Sequence, residues 1–213
     1  MTCDVRTYPS ALPLSVTAAA RRTRKALRVE VCSEDVLNAA GRLRRPAVLC
    51  FASARNPGGG VHAGASGQEE YLCRAQSELL AALHTPAAQS FYDHHRRHCG
   101  PLNSDWCVYV AGTPAVVMCA APNAREAALY RVSDESIALA FRRRTRRVLD
   151  VCAVEGHRNV VLGAWGCGAF GNDPQMVARA FGEAIDAREH NFDHIVFAIY
   201  DSAHRRAFQH LER

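Results

Sequence analysis

Gly58, Gly59 and Gly60 run together in this chain, a loop of small residues follows, and Gln68, Glu69 and Glu70 close the segment. Consecutive glycines let a backbone bend freely and approach another group closely. Adjacent carboxylates a few residues later place acid/base chemistry beside that bare backbone. Acids also favour first helical turns because of the helix macrodipole, which is the plainer reading of Glu69 and Glu70. The glycines favour the chemical one. Neighbouring helical residues point about 100° apart, so the two carboxylates divide the work rather than share it: one faces a reacting bond, the other grips a hydroxyl. A second glycine-rich loop spans residues 163–174 and contains Gly166, Gly168 and Gly171 in Gly-x-Gly-x-x-Gly spacing. Bare amides beside a helix N-terminus suit a diphosphate. A dinucleotide fingerprint belongs to the first strand–helix unit, whereas this motif lies late in the chain. A tight structural turn is the third reading. No phosphate-binding Gly-x-x-x-x-Gly-Lys motif occurs.

The elements that must hold these loops alternate between strand and helix signals. Residues 28–32 alternate as a strand, and Ser33 is positioned to cap a helix over 34–43. Residues 47–52 form a continuous apolar run, consistent with a buried strand. The first glycine loop follows it, then a helix over 68–83. Runs at 106–110 and 115–120, separated by Gly112 and Pro114, read as a hairpin. A helix over 134–154 carries an apolar stripe of Ile137, Phe141, Val148 and Cys152, with Arg142, Arg143, Arg144, Arg146 and Arg147 mostly off it. A strand at 160–163 leads into the second loop, a helix over 174–188 follows, and a strand at 195–200 precedes a short last helix. Both glycine loops thus follow strands directly, where ligands bind in open α/β sheets. The expectation is a single α/β domain over residues 1–213, with 1–14 peripheral.

Bulk properties narrow the class. The chain has 213 residues, a formal net charge of +5 and nine cysteines. That length suits one domain with a full core. The charge is modest and does not by itself indicate nucleic-acid binding. The cysteine count is odd, no Cys-x-x-Cys pair occurs and Cys50 sits in an apolar run, so free thiols in a reducing compartment, cytoplasmic or nuclear, are expected. No apolar stretch is long enough to span a membrane. The mildly apolar residues 11–20 are followed by a basic run at 21–25, the wrong order for a secretory signal.

Asn56, Pro57 and the triple glycine, followed by Gln68, Glu69 and Glu70, resemble the signature of poly(ADP-ribose) glycohydrolases. Residues 163–170 resemble their diphosphate-binding loop. Residues 51–56, 121–123 and 192–198 are similar to the compact microbial branch of that family. The resemblance covers roughly residues 15–210. It implies a macrodomain-like α/β/α sandwich with a mixed central sheet and ADP-ribose in a crevice at the strand ends. By this resemblance Glu70 is the catalytic acid, Glu69 binds ribose hydroxyls and Gln68 supports the pair. Gly58, Gly59 and Gly60 wrap the terminal ribose and diphosphate. Gly166, Cys167, Gly168 and Ala169 offer amides to the phosphates, and Phe170 packs on the terminal ribose. Asn56, Val61 and Ala164 join them as substrate-binding positions. Asp35, or its neighbour Glu34, resembles the acid that reads the adenine amino group.

The implied reaction is hydrolysis of the ribose–ribose acetal of poly(ADP-ribose). A protonated Glu with a raised pKa supplies the leaving hydroxyl with its proton and then takes one from the attacking water. No metal or cofactor is implied. The chain has no counterpart of the long accessory region of animal enzymes, which implies cleavage from chain ends. The implied partners are the polymer and ADP-ribosylated proteins, with ADP-ribose as product, acting as a monomer in reversal of ADP-ribosylation within the DNA damage response. Two other functions fit the loops: a reader that binds ADP-ribose without cutting it, and a hydrolase of mono-ADP-ribosyl groups. Elsewhere, residues 93–99 hold His94, His95, His98 and Cys99, and an exposed polar segment is the expectation rather than a zinc site. The arginines at 142–147 read as a solvated helix face before they read as a polyanion contact or a nuclear address. No Ser, Cys or Tyr has identifiable triad partners.

Overall fold

The computed structural model describes residues 4–10, 14, 26–187 and 192–213. Its strands are β1 (Val5–Tyr8), β2 (Arg28–Cys32), β3 (Ala47–Phe51), β4 (Cys107–Val110), β5 (Ala115–Cys119), β6 (Asn159–Leu162) and β7 (His194–Ala198). They form one sheet in the order β1-β4-β5-β3-β6-β7-β2. β5, β3, β6, β7 and β2 run parallel, while β4 is antiparallel to both β1 and β5. The helices are α1 (Val36–Gly41), α2 (Gln68–Ala75), α3 (Ser77–Leu83), α4 (Pro86–His98), α5 (Ala124–Leu129), α6 (Asp134–Val154), α7 (Pro174–Asp186) and α8 (Ser202–Phe208).

Alternation along the central strands divides the core into two layers, because successive side chains point to opposite faces. Leu49, Val117, Leu162 and Phe197 pack with Phe141, Val148, Phe181 and Phe208 from α6, α7 and α8. Val48, Val116, Val161 and Val196 pack with Val36, Leu72, Leu83 and Phe91 from α1 to α4. Helices cover both faces, which is why the parallel strands read as continuous apolar runs. The expected mixed sheet between helices is present.

Several expectations need correction. A strand, β1, precedes the first one read from sequence. Asp35 rather than Ser33 caps α1, accepting from the amides of Leu37 and Asn38, so the helix is shorter than 34–43. The helix over 68–83 breaks at Gln76, whose φ of −130° and ψ of 87° lie outside the helical region. Neither Gly nor Pro marks the break, and packing explains it: α2 lies on β3 while α3 turns to α4. Residues 93–98 belong to α4, and His95 is buried in place of an exposed segment. Its Nδ1 donates to Phe91 O at 2.8 Å, Nε2 accepts from Ser104 N, and burial pushes its pKa down to about 4. His94 stacks on Trp106 with centroids 4.2 Å apart. Residue 188, the expected end of α7, and the runs at 11–20 and 21–25, Leu14 excepted, lie outside the described residues.

The α6 arginines are not one solvated face. Arg144 is 0% exposed. It donates to Asp105 Oδ1 at 3.1 Å, Ala120 O at 2.8 Å and Leu102 O at 2.8 Å. Arg147 is buried and donates to Pro9 O. Removing the Arg144 guanidinium leaves the Ala120 and Leu102 carbonyls without their donor, while Asp105 keeps Arg143. Arg144→Met is expected to lower unfolding free energy by about 3 kcal/mol in urea titration, whereas Arg146→Met, on the exposed face, stays within about 0.5 kcal/mol of the parent.

Candidate active site

The first structural requirement of the site is a gap in the sheet. The ladder between β3 and β6 covers Ala47 and Val48 and then ends. On β3, Pro46 O and Ala52 N face β5, so the odd-numbered residues face β6. Beyond the ladder, Leu49 O and Phe51 N would have no strand partner. The Gln68 side chain fills that place: its Nε2 donates to Leu49 O and its Oε1 accepts from Phe51 N, both at 2.9 Å. The first turn of α2 is thereby fastened to the strand end, and the crevice opens above it.

The next two residues are held the same way. Glu69 is 3% exposed, and its Oε2 accepts from Ser53 N at 2.6 Å. Its Oε1 is buried with no hydrogen-bond partner among the described residues. Burial is the main cause of its pKa rise to about 8; the nearby Glu70 adds to the rise, and the amides of Ser53 and Gly58 oppose it. Glu70 is half-buried and its Oε1 accepts from Gly60 N at 2.8 Å. A Cβ at Gly59 would overlap Glu70 Oε1, and one at Gly67 would overlap Glu70 Oε2. Gly59 also has φ +60°, a left-handed conformation. Gly58 is buried against Leu80, Val61 and Cys73. The triple glycine therefore makes room for a carboxylate as much as for a ligand. The raised pKa expected of the catalytic acid falls on Glu69, because that is where the burial is.

The second loop is shaped by its own bonds. Gly166 and Gly171 have φ of +72° and +68°. Asn172 Nδ2 donates to Gly166 O and Pro122 O, each at 2.8 Å. The amides of Gly166, Gly168, Ala169 and Phe170 have no acceptor among the described residues. That leaves a row of donors beside the crevice, suited to anionic oxygens.

A cavity of about 500 Å³ lies between the loops. Its walls include Gln68, Glu69, Glu70, Ala164, Gly166, Gly168, Ala169 and Phe170 from the expected set. Asp35, Asn56, Gly58, Gly59, Gly60, Val61 and Cys167 are not among the wall residues. Asp35 lies after β2, where its Oδ1 also accepts from Tyr71 OH at 3.0 Å. Sequence reasoning missed Ser53, Ala121, Tyr200, Asp201 and His204, which also form the wall. Asp201 was findable, since its side chain caps α8 by accepting from His204 N at 2.7 Å.

Among the described residues the grouping with metal-ligand spacing is Glu30, Cys32 and Glu34, away from this cavity. The Arg42 guanidinium donates to Glu30 and Glu34 there. The eight cysteines of the described residues are free thiols. No helix of the described residues is long and apolar enough to cross a membrane.

Residues 3–118 match the family model of the microbial-type PARG catalytic domain. Among solved structures, the chain is similar to poly(ADP-ribose) glycohydrolase from Thermomonospora curvata, with 36% identity and a TM-score of 0.84 over 97% of this chain and 85% of that one. The same enzyme bound to the inhibitor ADP-HPD matches with 35% identity and a TM-score of 0.82, over 97% and 84%. The Deinococcus radiodurans enzyme in complex with ADP-ribose matches with 34% identity and a TM-score of 0.84, over 97% and 93%. None of the curated proteins matches.

The Glu69 carboxyl gives the site a pH signature. The folded state binds its proton more tightly than the unfolded chain, whose value is near the ordinary 4.5. Its contribution to stability is therefore complete below about pH 4.5 and is lost as pH rises toward 8. Glu69→Gln removes this ionisation while keeping an acceptor for Ser53 N. Between pH 5 and 8 the parent is expected to lose on the order of 3 kcal/mol relative to the variant, read from urea midpoints at each pH.

Proposed function

The chain belongs to the microbial-type poly(ADP-ribose) glycohydrolase family, and on that footing we propose that it hydrolyses the ribose–ribose bonds of poly(ADP-ribose) from chain ends, releasing ADP-ribose. The observation that carries this reading is the Glu70 carboxylate at the cavity wall, fixed by Gly60 N, with the Glu69 carboxyl buried behind it. The Deinococcus radiodurans structure holds ADP-ribose, and the proposal places the same molecule in this cavity. Its diphosphate lies along the amides of Gly166, Gly168, Ala169 and Phe170. The terminal ribose lies between Phe170 and the two carboxyls, and the adenine lies toward Asp35 and Tyr200.

The geometry supports the following roles. Glu69, neutral at pH 7 by its raised pKa, keeps a hydrogen-bonding group at a ribose hydroxyl without adding a second full charge beside Glu70. Glu70 serves as the proton donor to the departing 2′-oxygen as the anomeric C–O bond breaks through an oxocarbenium-like state. The resulting carboxylate then takes a proton from the water that adds to the anomeric carbon, which restores the acid and yields ADP-ribose. Gln68 keeps both carboxyls in register by holding the first turn of α2 on β3. The free thiols support a reducing compartment, and the proposed partners are the polymer and ADP-ribosylated proteins, met by a monomer working as a single catalytic domain.

Glu70→Gln tests the assignment, because it keeps shape and the Gly60 bond but has no proton to donate. Release of ADP-ribose from polymer, followed chromatographically, is expected to fall at least about 100-fold, with ADP-ribose affinity by calorimetry within a few-fold of the parent. With the parent enzyme, polymer of defined length is expected to shorten by single units; loss of the protein-linked unit would favour the mono-ADP-ribosyl reading, and binding without turnover the reader.

A further inference from the structure

We infer that the surface after β5 holds the leaving group of the reaction, the polymer's next ADP-ribose unit, through the guanidiniums of Arg125 and Arg55. This rests on the glycohydrolase reading above and extends the site outward from the cavity.

The sheet order sets the direction. The cavity wall is supplied in turn by residues after β7 (Tyr200, Asp201, His204), the loop after β6, residues after β3 (Ser53 and the α2 acids) and Ala121 after β5. A ligand whose diphosphate lies on the β6 loop and whose terminal ribose meets the acids after β3 has its adenosine toward β7. Its anomeric oxygen, the point of attachment of the next unit, is then directed toward β5. The segment 120–123 and α5 lie directly beyond that strand in the chain.

That segment presents charge at the exit. Arg125 N donates to Phe170 O at 3.1 Å, which ties α5 to the second loop. The Arg125 stem packs on Gly171: a Cβ there would come within 3.0 Å of its Cγ and Nε. Arg125 is exposed, and its guanidinium has no hydrogen bond or ion pair among the described residues. From the other loop, Arg55 lies two residues past the Ser53 amide that binds Glu69, and its Nη2 is 3.5 Å from Glu126 Oε1 on α5. Arg96 Nη1 donates to Arg55 O and pairs with Asp93. The rim thus sets the guanidiniums of Arg55, Arg96 and Arg125 against the carboxylates of Asp93 and Glu126. The Arg55–Glu126 contact is exposed and weak, so Arg55 exchanges it readily for a phosphate. Guanidinium matches phosphate oxygens in a two-pronged geometry. Each polymer unit carries one diphosphate, whereas a pocket for free ADP-ribose alone has no use for an unneutralised guanidinium at this end.

Two substrates test it: poly(ADP-ribose) of defined length, and ADP-ribose carrying a small uncharged fluorogenic aryl group on the same anomeric oxygen. Both fill the cavity, but the second has no next unit. The readout is the ratio of kcat/KM on polymer to kcat/KM on the aryl substrate. Arg125→Glu is expected to lower this ratio about fivefold or more, Arg125→Met and Arg55→Met by less, and Arg125→Lys least. The salt dependence of polymer cleavage is expected to weaken in Arg125→Met. An unchanged ratio in Arg125→Glu and Arg55→Met overturns the inference. So do equal losses on both substrates, which would mean that Arg125 merely props the second loop. Failure of the parent enzyme itself to release ADP-ribose from polymer overturns the glycohydrolase reading, and is recognised without any variant.

Discussion

The separation of β3 from β6 is the constraint on which the site depends. A parallel sheet that stayed paired to its edge would have no crevice, and a sheet that simply opened would leave Leu49 O and Phe51 N unsatisfied in a buried setting, each at a cost of about 1–3 kcal/mol. The Gln68 amide resolves this by offering one donor and one acceptor at the spacing a strand would have supplied. Once Gln68 is fixed, the two residues after it have nowhere else to go. Glu69 must enter the gap above Ser53, and Glu70, about 100° further round the helix, must face the cavity. The order of the triplet is thus a consequence of docking geometry: the anchor comes first, the buried carboxyl second and the exposed one third.

Glycine enters the same argument from the other side. Glu70 is closely packed between backbone at Gly59, Gly60 and Gly67, and any side chain at Gly59 or Gly67 would displace its oxygens. A carboxylate packed against backbone has few rotamers left, so its position is set before substrate arrives. The second loop is organised differently. Asn172 ties its two ends, and the amides of Gly166, Gly168, Ala169 and Phe170 are left with no acceptor among the described residues. One loop immobilises an acid, the other exposes donors, and α5 touches both through Arg55–Glu126 and Arg125–Phe170.

Much of this was legible in the residues themselves. The strand at 28–32 is marked by its alternation, those at 47–51, 107–110, 115–119 and 159–162 by apolar runs, and the helix at 134–154 by its stripe and acidic first turn. The elements that escaped were decided by packing. β1 is short, with only Tyr8 buried, so its pattern is weak. The break at Gln76 has no residue-type signal. Arg144 looks like any other arginine in a basic run, and only the fold brings Asp105, Leu102 and Ala120 to it. At the site the two loops and their acids could be read directly, but not which carboxyl is buried, because that depends on the strand gap that Gln68 fills. The residues after β7 were missed because their contribution comes from the sheet order, which brings β7 beside β6.

The energetics of Glu69 bear on whether the cavity only binds or also reacts. A carboxyl buried to 3% exposure, with one oxygen unpartnered and a pKa near 8, opposes folding at neutral pH. A binding crevice gains nothing from that arrangement that the loop amides do not already supply. The Asp35 carboxylate, outside the cavity wall, shows the economical alternative, with three donors on one oxygen. At the cavity wall the chain keeps a destabilising acid next to a second one. On the proposed pose, substrate hydroxyls brought to Glu69 would satisfy the lone oxygen, and a neutral Glu69 would add no second charge beside the anomeric carbon. In the proposed mechanism, charge that develops there in an oxocarbenium-like state would be met by the carboxylate left once the Glu70 proton has passed to the departing oxygen. The strain held at Glu69 would thus be relieved by the same substrate whose bond Glu70 is proposed to break.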